Sequence, residues 1–112
     1  FLIYSGDDAL TLPILAVGGA GVVSVASHLV GREIKSMISA FLAGRVGDAL
    51  EIHLKLKPLF KAMFITTNPV PVKRALEFVG VDTGPLRLPL VDLTEQEAQK
   101  IKEVLFSVGL GS

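Results

Sequence analysis

The charged side chains of this 112-residue chain are distributed very unevenly along the sequence. Residues 1–31 carry only two of them, Asp7 and Asp8, whereas residues 32–112 carry the other 20. We therefore expect the first third to be largely buried and the remainder to form amphipathic helices. Glycines and a proline divide the apolar first third into short pieces, so it lacks the roughly 20 consecutive apolar residues of a membrane-spanning helix.

Composition excludes several classes of function. The 11 basic residues balance the 11 acidic ones, which removes charge attraction to nucleic acid or to an anionic membrane as the default function. The absence of cysteine excludes disulfides, thiolate catalysis and cysteine-ligated zinc. The start of the chain has neither the basic region nor the single apolar stretch of a signal peptide. It begins within an apolar run, as expected of a segment of a longer chain.

The first third predicts a strand-helix-strand unit. Phe1–Tyr4 is apolar on both faces, as in parallel strands that are covered on both sides. A short helix over 12–17 should end at Gly18, and a second strand is expected over 21–26. This succession indicates a βαβ unit with a right-handed crossover. Because two strands leave both sheet edges unpaired, further chain or a partner should complete the sheet.

The remaining residues predict helices. Asn68-Pro69 is typical of a helix start, and Thr94 and Glu97 have the spacing of a capping box. We therefore expect the order β-α-β-α followed by three more helices. The predicted helical ranges are 32–43, 46–64, 69–79 and 95–108.

The segment Ser5-Gly6-Asp7-Asp8 directly follows the first predicted strand. Ligands bind at the carboxyl ends of parallel strands, because loop backbone groups and helix starts converge there. Two adjacent carboxylates can bind a metal, cap a helix or orient a polar substrate. The alternative is an ordinary turn at the start of a helix, where acidic residues are common.

Other motifs favour structural roles. The run Gly18-Gly19-Ala20-Gly21 resembles a phosphate cradle, but it precedes the second strand and is better explained as a tight helix-to-strand connection. Ser24 and Ser27 lack the neighbours of a catalytic triad. The two histidines, His28 and His53, lack metal-ligand spacing, so no metal site is predicted.

The lysines decide whether this chain can carry Schiff-base chemistry. Such a lysine needs a lowered pKa, which burial in a strand provides. Every lysine here lies instead on an amphipathic helical stretch, so solvated helix faces explain them and none is expected to form a Schiff base. The seven are Lys35, Lys55, Lys57, Lys61, Lys73, Lys100 and Lys102.

Several strings together resemble the C-terminal portion of the dihydrodipicolinate synthase family, over essentially all 112 residues. They are Ser5-Gly6-Asp7-Asp8-Ala9, Gly18-Gly19-Ala20-Gly21-Val22-Val23-Ser24-Val25-Ala26, Asn68-Pro69-Val70-Pro71-Val72-Lys73 and Leu86-Arg87-Leu88-Pro89-Leu90. The resemblance implies an α/β fold in which residues 1–43 form the last two βα units of a (β/α)8 TIM barrel, from its seventh strand to its eighth helix. Residues 44–112 would then be a C-terminal domain of three helices.

The resemblance also implies an activity for the complete protein. The family condenses pyruvate with aspartate semialdehyde in lysine and diaminopimelate biosynthesis, and it holds pyruvate as a Schiff base on a lysine of an earlier strand. That lysine lies in an N-terminal barrel segment that is absent here, so this chain alone should be inactive. The resemblance further implies a cytoplasmic homotetramer with no cofactor, no metal, and no nucleic-acid or membrane partner.

The resemblance assigns four substrate-binding positions. Backbone groups at Gly6 and Val23 match the family's pyruvate contacts, and Asp7 and Asp8 match a loop where they could engage the second substrate. Two alternatives stay open. The chain could be the same segment of a related aldolase, acting on sialic acid or on keto-deoxy sugar acids. It could also be a non-catalytic helical interaction or oligomerisation module, with an apolar surface that includes Leu54, Phe60 and Phe64.

Overall fold

The computed structural model describes residues 1–111 and divides the chain into two compact units. The first unit is Phe1–Lys57, and the second begins at Pro58. The elements follow the predicted order of strand, helix, strand and helix, with three further helices behind them. The prediction of an α/β start followed by a helical remainder is therefore confirmed.

The first unit opens with two very short parallel strands, β1 (Tyr4–Ser5) and β2 (Gly21–Val22). Tyr4 pairs with Gly21 and Ser5 with Val22. A one-turn 3₁₀ helix (Asp8–Leu10) and helix α1 (Thr11–Ala16) connect them. The parallel pairing agrees with the predicted βαβ unit, because parallel strands require such a crossover.

The predicted strands are longer than the observed ones, and the predicted burial of the first residues is wrong. Each strand has only two residues, whereas Phe1–Tyr4 and 21–26 were expected to be extended throughout. The first four side chains are all more than half exposed, down to 53% for Tyr4. Each strand has only the other as a ladder neighbour in residues 1–111, so the ladder is short. Helix α1 contacts both strands, but the side chains of Phe1–Tyr4 stay exposed.

Helix α2 (Ser27–Leu42) begins five residues earlier than the predicted position 32. Val30 interrupts it with non-helical dihedral angles (φ −129°, ψ 35°), so the predicted range matches the part after the break. Its apolar face packs on α1. The core cluster of this unit consists of Leu12, Met37, Ala40 and Ala49, with Ile38, Phe41 and Ile52 against it.

Helix α3 (Val46–Ala62) contains Pro58, where the second unit begins. Helix α4 (Val70–Phe78) starts later than predicted: Pro69 occupies the N-cap position, and Asn68 does not cap the helix. Pro71 lies in the first turn of α4. Proline is tolerated there because the N–H that it lacks would have no helical partner.

Helix α5 (Glu95–Ser107) has the predicted capping box. The Glu97 N–H donates to the Thr94 hydroxyl at 3.2 Å, and the Thr94 N–H donates to the Glu97 carboxylate at 2.8 Å. Within the second unit α5 packs against α4. Ile101 and Leu105 of α5 are almost fully buried, as is Ala75 of α4. No helix in the described part of the chain is both long and apolar enough to cross a membrane.

Candidate functional site

The loops that follow β1 and β2 lie side by side. The Val23 N–H donates to the Ser5 carbonyl at 2.8 Å, which extends the parallel pairing one residue past β2. The carboxyl ends of both strands therefore meet at one edge, as the sequence predicted. Two of the predicted binding residues stand at this edge, Gly6 after β1 and Val23 after β2.

Gly6 and Val23 both face open space. A Cβ atom added at Gly6 would meet no atom of the chain within 4 Å, so the packing of this chain does not require glycine there. A site for a ligand close to the backbone does require it, because a side chain would block the approach. The Val23 side chain is 74% exposed. The edge thus offers an exposed apolar side chain beside an exposed glycine.

Asp7 is exposed and caps the 3₁₀ helix. Its carboxylate accepts the Ala9 N–H at 2.9 Å. The Ser5 hydroxyl, in turn, donates to the Asp7 carbonyl at 2.6 Å and accepts the Asp7 N–H at 3.1 Å. The turn is therefore held by its own side chains, and the second oxygen of the exposed Asp7 carboxylate is accessible to a polar ligand.

Asp8 points the other way, into the protein. It is 2% exposed, and its carboxylate bonds across to the segment after β2. It accepts hydrogen bonds from the Ser24 hydroxyl, from the Val25 N–H at 3.1 Å and from the Ala26 N–H at 2.9 Å. The two predicted acids are adjacent in sequence but differ in role, because one faces solvent and the other joins the two loops.

Ser24 is a structural residue in this arrangement. Besides donating to Asp8, its hydroxyl accepts the Ser27 N–H at 2.9 Å at the start of α2. The Ser27 hydroxyl donates to the Ser24 carbonyl at 3.3 Å. With its hydroxyl engaged on both sides and no histidine bonded to it, Ser24 is not set up as a nucleophile. No local sequence pattern indicates its hydrogen bond with Asp8, which lies 16 residues away.

The glycine run connects α1 to β2, and it forms no phosphate cradle. Gly18 adopts a positive φ of 100° directly after the helix, and the Gly19 N–H donates to the Ile14 carbonyl at 2.8 Å. A Cβ atom at Gly19 would lie 2.9 Å from that carbonyl oxygen and would overlap the Ile14 side chain. These observations explain Gly18 and Gly19 by the conformation and packing of the chain, as expected of a tight helix-to-strand connection.

The lysines and histidines stay outside the strand-end loops. All seven lysines are on helices α2 to α5 and none is buried, in agreement with the prediction. His53 is buried on α3, where burial and then the charge of Lys57 lower its pKa from the usual value. His28 is exposed near the start of α2. In residues 1–111 no three His, Asp or Glu side chains converge on a common point.

The site thus brings Gly6, Asp7 and Val23 to one surface and places Asp8 beneath it. Comparison with known proteins gives this surface a context. The model of the dihydrodipicolinate synthetase family matches residues 1–107. A 4-hydroxy-tetrahydrodipicolinate synthase from Desulforudis audaxviator is 59% identical over 105 residues, which are 94% of this chain and 36% of that protein.

Solved structures agree with the sequence comparison. A dihydrodipicolinate synthase from Cyanidioschyzon merolae, solved with lysine bound, is 49% identical and superposes with a TM-score of 0.96 over 98% of this chain and 37% of that one. The enzyme from Acinetobacter baumannii, solved with pyruvate, is 28% identical with a TM-score of 0.92, over 98% and 38% of the two chains. The chain therefore spans little more than a third of the length of the relatives it matches.

Proposed function

This chain belongs to the dihydrodipicolinate synthetase family, and we propose that it is the C-terminal part of a lyase that condenses pyruvate with aspartate semialdehyde in lysine and diaminopimelate biosynthesis. The observation that carries the proposal is the pair of adjacent strand-end loops, with Gly6 and Val23 open to a ligand at the edge where α/β folds bind substrates.

Residues 1–43 would form the last two βα units of a (β/α)8 barrel, and residues 44–112 its C-terminal helical domain. The exposed apolar side chains of Phe1–Tyr4 support this division. In a barrel such a strand is flanked by neighbouring strands and covered by helices, which would come from the N-terminal segment of the complete protein. The coverage of 36–38% of the relatives leaves room for six further units.

In the proposed reaction, a lysine amine of the N-terminal segment attacks the keto carbon of pyruvate and releases water to give the Schiff base. Residues of this chain would bind and shield that intermediate. The backbone at Gly6 and Val23 would contact the keto acid, and the Val23 side chain would keep water away from the imine. The seven lysines of this chain, none of them buried, would take no part in the chemistry.

Asp7 fits the expected contact with the second substrate, because it is exposed beside Gly6. The direct substrate contact expected for Asp8 stays a prediction. Its burial and its bonds to the following loop favour an indirect role, which is developed below. The family assignment supports the further proposals of a cytoplasmic homotetramer that works without cofactor or metal.

A second candidate function is a helical interaction or oligomerisation module. It is favoured by the exposure of Leu54 (56%) and Phe64 (49%), which are large apolar side chains on or just after α3. Phe60, which was expected on the same surface, is only 2% exposed and belongs to the core. The related aldolases for sialic acid or keto-deoxy sugar acids are less well supported, since the sequence relative and the two solved structures named above are dihydrodipicolinate synthases.

A chimera tests the proposal. This chain would replace the matched region of the Desulforudis audaxviator relative, and borohydride would be added in the presence of pyruvate to reduce any imine. We expect a stoichiometric mass adduct on the chimera, turnover with aspartate semialdehyde, and no adduct on the 112-residue chain alone. A folded chimera that forms no adduct would contradict the proposal, and so would an adduct on the chain alone.

A further inference from the structure

We propose that Asp8 is a positioning residue for the keto-acid site, which fixes the backbone around Val23 without touching the substrate. The inference rests on the proposed function, since it concerns the same strand-end loops. It starts from the contrast between the two neighbouring acids: Asp7 is exposed, whereas Asp8 is almost completely buried.

The backbone around Val23 is held from both sides. On the side toward β2, the Val23 N–H is bonded to the Ser5 carbonyl at 2.8 Å. On the other side, one oxygen of the Asp8 carboxylate accepts the N–H groups of Val25 at 3.1 Å and Ala26 at 2.9 Å. The backbone is therefore held at the amide of Val23 itself and at the amides of Val25 and Ala26, while the Val23 side chain stays exposed.

The second carboxylate oxygen of Asp8 extends this control to α2. It accepts the Ser24 hydroxyl, and that hydroxyl accepts the Ser27 N–H at 2.9 Å. Hydrogen bonds to a carboxylate are stronger than those between neutral groups, and the amides at a helix start favour negative charge. Asp8 thus connects the loop after β1, the loop after β2 and the first turn of α2.

These contacts explain why a carboxylate is buried here. A buried charge is costly unless hydrogen bonds satisfy it, and three donors from one segment do so. Removal of the side chain would leave the buried Ala26 N–H and the partly buried Val25 N–H without an acceptor, and the segment would relax. A displacement of about 1 Å at a reacting site can cost roughly 100-fold in rate. The loss should therefore appear in the formation of the Schiff base with pyruvate.

Asparagine distinguishes positioning from direct contact. Its carbonyl oxygen can accept the Val25 and Ala26 N–H groups, and its amide can donate to the Ser24 hydroxyl oxygen. Asp8→Asn should therefore preserve the loop but remove the charge. Asp8→Ala removes both. Asp48→Ala is the matched control, because Asp48 is an exposed carboxylate on α3 whose only described partner is Arg45 at 3.5 Å.

The experiment measures, in the chimera, the pyruvate concentration that gives half-maximal borohydride trapping. We expect Asp8→Ala to raise it about 10- to 100-fold, with Asp8→Asn much closer to the unmodified chimera and Asp48→Ala unchanged. An unchanged value in Asp8→Ala would overturn the inference. An equal loss in Asp8→Asn and Asp8→Ala would also overturn it, since the charge itself would then be what the substrate needs.

Two further measurements keep the inference testable. If Asp8→Ala does not fold, Ser24→Ala takes its place as the test. It removes only the hydroxyl between Asp8 and α2, so it should raise the half-saturating pyruvate concentration by a smaller factor than the one expected for Asp8→Ala. No change in Ser24→Ala would then contradict the inference. Absence of any adduct in the unmodified chimera would overturn the proposed function itself, whereas trapping that is insensitive to Asp8 would overturn only its positioning role.

Discussion

The hydroxyl of Ser24 donates a hydrogen bond to the carboxylate of Asp8, 16 residues earlier in the chain. This bond joins the two loops that follow the parallel strands. The residues that directly precede the two bonded residues in sequence, Asp7 and Val23, are exposed. The bonded pair therefore supports the loops, while its neighbours are accessible to a ligand. The candidate site is thus an exposed surface supported by a buried polar layer.

The close packing of Gly19 against Ile14 gives the first stability prediction. Gly19→Ala would place a methyl group 2.9 Å from the Ile14 carbonyl oxygen, and we expect it to destabilise the chimera by about 1–3 kcal/mol. Gly47→Ala is the control, because nothing lies within 4 Å of its added Cβ in helix α3. That change should be neutral or stabilise by up to about 1 kcal/mol. Urea denaturation measures both, and equal effects would contradict the packing.

The packing of α5 on α4 gives a second prediction. Ile101 is fully buried on α5, so Ile101→Ala should cost about 2–5 kcal/mol through the cavity it leaves. Phe106, on the same helix, is 70% exposed, and Phe106→Ala should stay within about 0.5 kcal/mol. Thermal unfolding of the two variants compares them. A loss of unfolding free energy well above about 0.5 kcal/mol for Phe106→Ala would contradict its exposure and show that another surface covers it.

The capping box of α5 gives a third prediction. Thr94→Ala removes the oxygen that accepts the Glu97 N–H at 3.2 Å, so it should cost about 1 kcal/mol. Glu97→Gln keeps an acceptor for the Thr94 N–H and should have a much smaller effect. The urea midpoints of the two variants test this order, and the reverse order would contradict it.

The buried His53 predicts a pH dependence of stability. Burial first, and then the charge of Lys57, lower its pKa from the ordinary value of 6.5. As the pH falls, His53 therefore takes up a proton in the unfolded chain at a higher pH than in the folded one. The resulting stability is present above about pH 6.5 and falls as the pH drops through the unfolded and then the folded pKa. Unfolding free energies between about pH 5 and 8 should show this loss.

Two variants isolate the contribution of His53. His53→Leu should flatten the pH dependence, because no group with a shifted pKa remains at that position. Lys57→Met should make it shallower, since the charge that opposes protonation is removed. A pH dependence that is the same in His53→Leu as in the unmodified protein would assign it to another residue.

The sequence predicted the order of elements because helical periodicity and caps are local signals. Thr94 and Glu97 form the expected capping box, and Gly18 ends α1 with the positive φ that glycine permits. The exposure of Phe1–Tyr4 was missed, because an apolar pattern shows that a strand needs cover but not whether the same chain provides it.

The candidate site was only partly predictable for a related reason. The position of Gly6 and Asp7 after a parallel strand follows from topology, which the sequence indicates. The direction in which Asp8 points does not, since the turn from a strand into a short 3₁₀ helix has no fixed side-chain period. Its partners belong to a segment that is distant in sequence, and a serine there gives no sign that it bonds to a carboxylate.

The location of the trapped pyruvate tests the central claim most directly, namely that this chain forms part of the pocket but does not supply the nucleophile. The chimera would be reduced with borohydride in the presence of pyruvate, digested and mapped by mass spectrometry. We predict a single modified lysine, located in the segment that precedes Phe1. Modification of one of the seven lysines of this chain, with the preceding segment unmodified, would contradict the account.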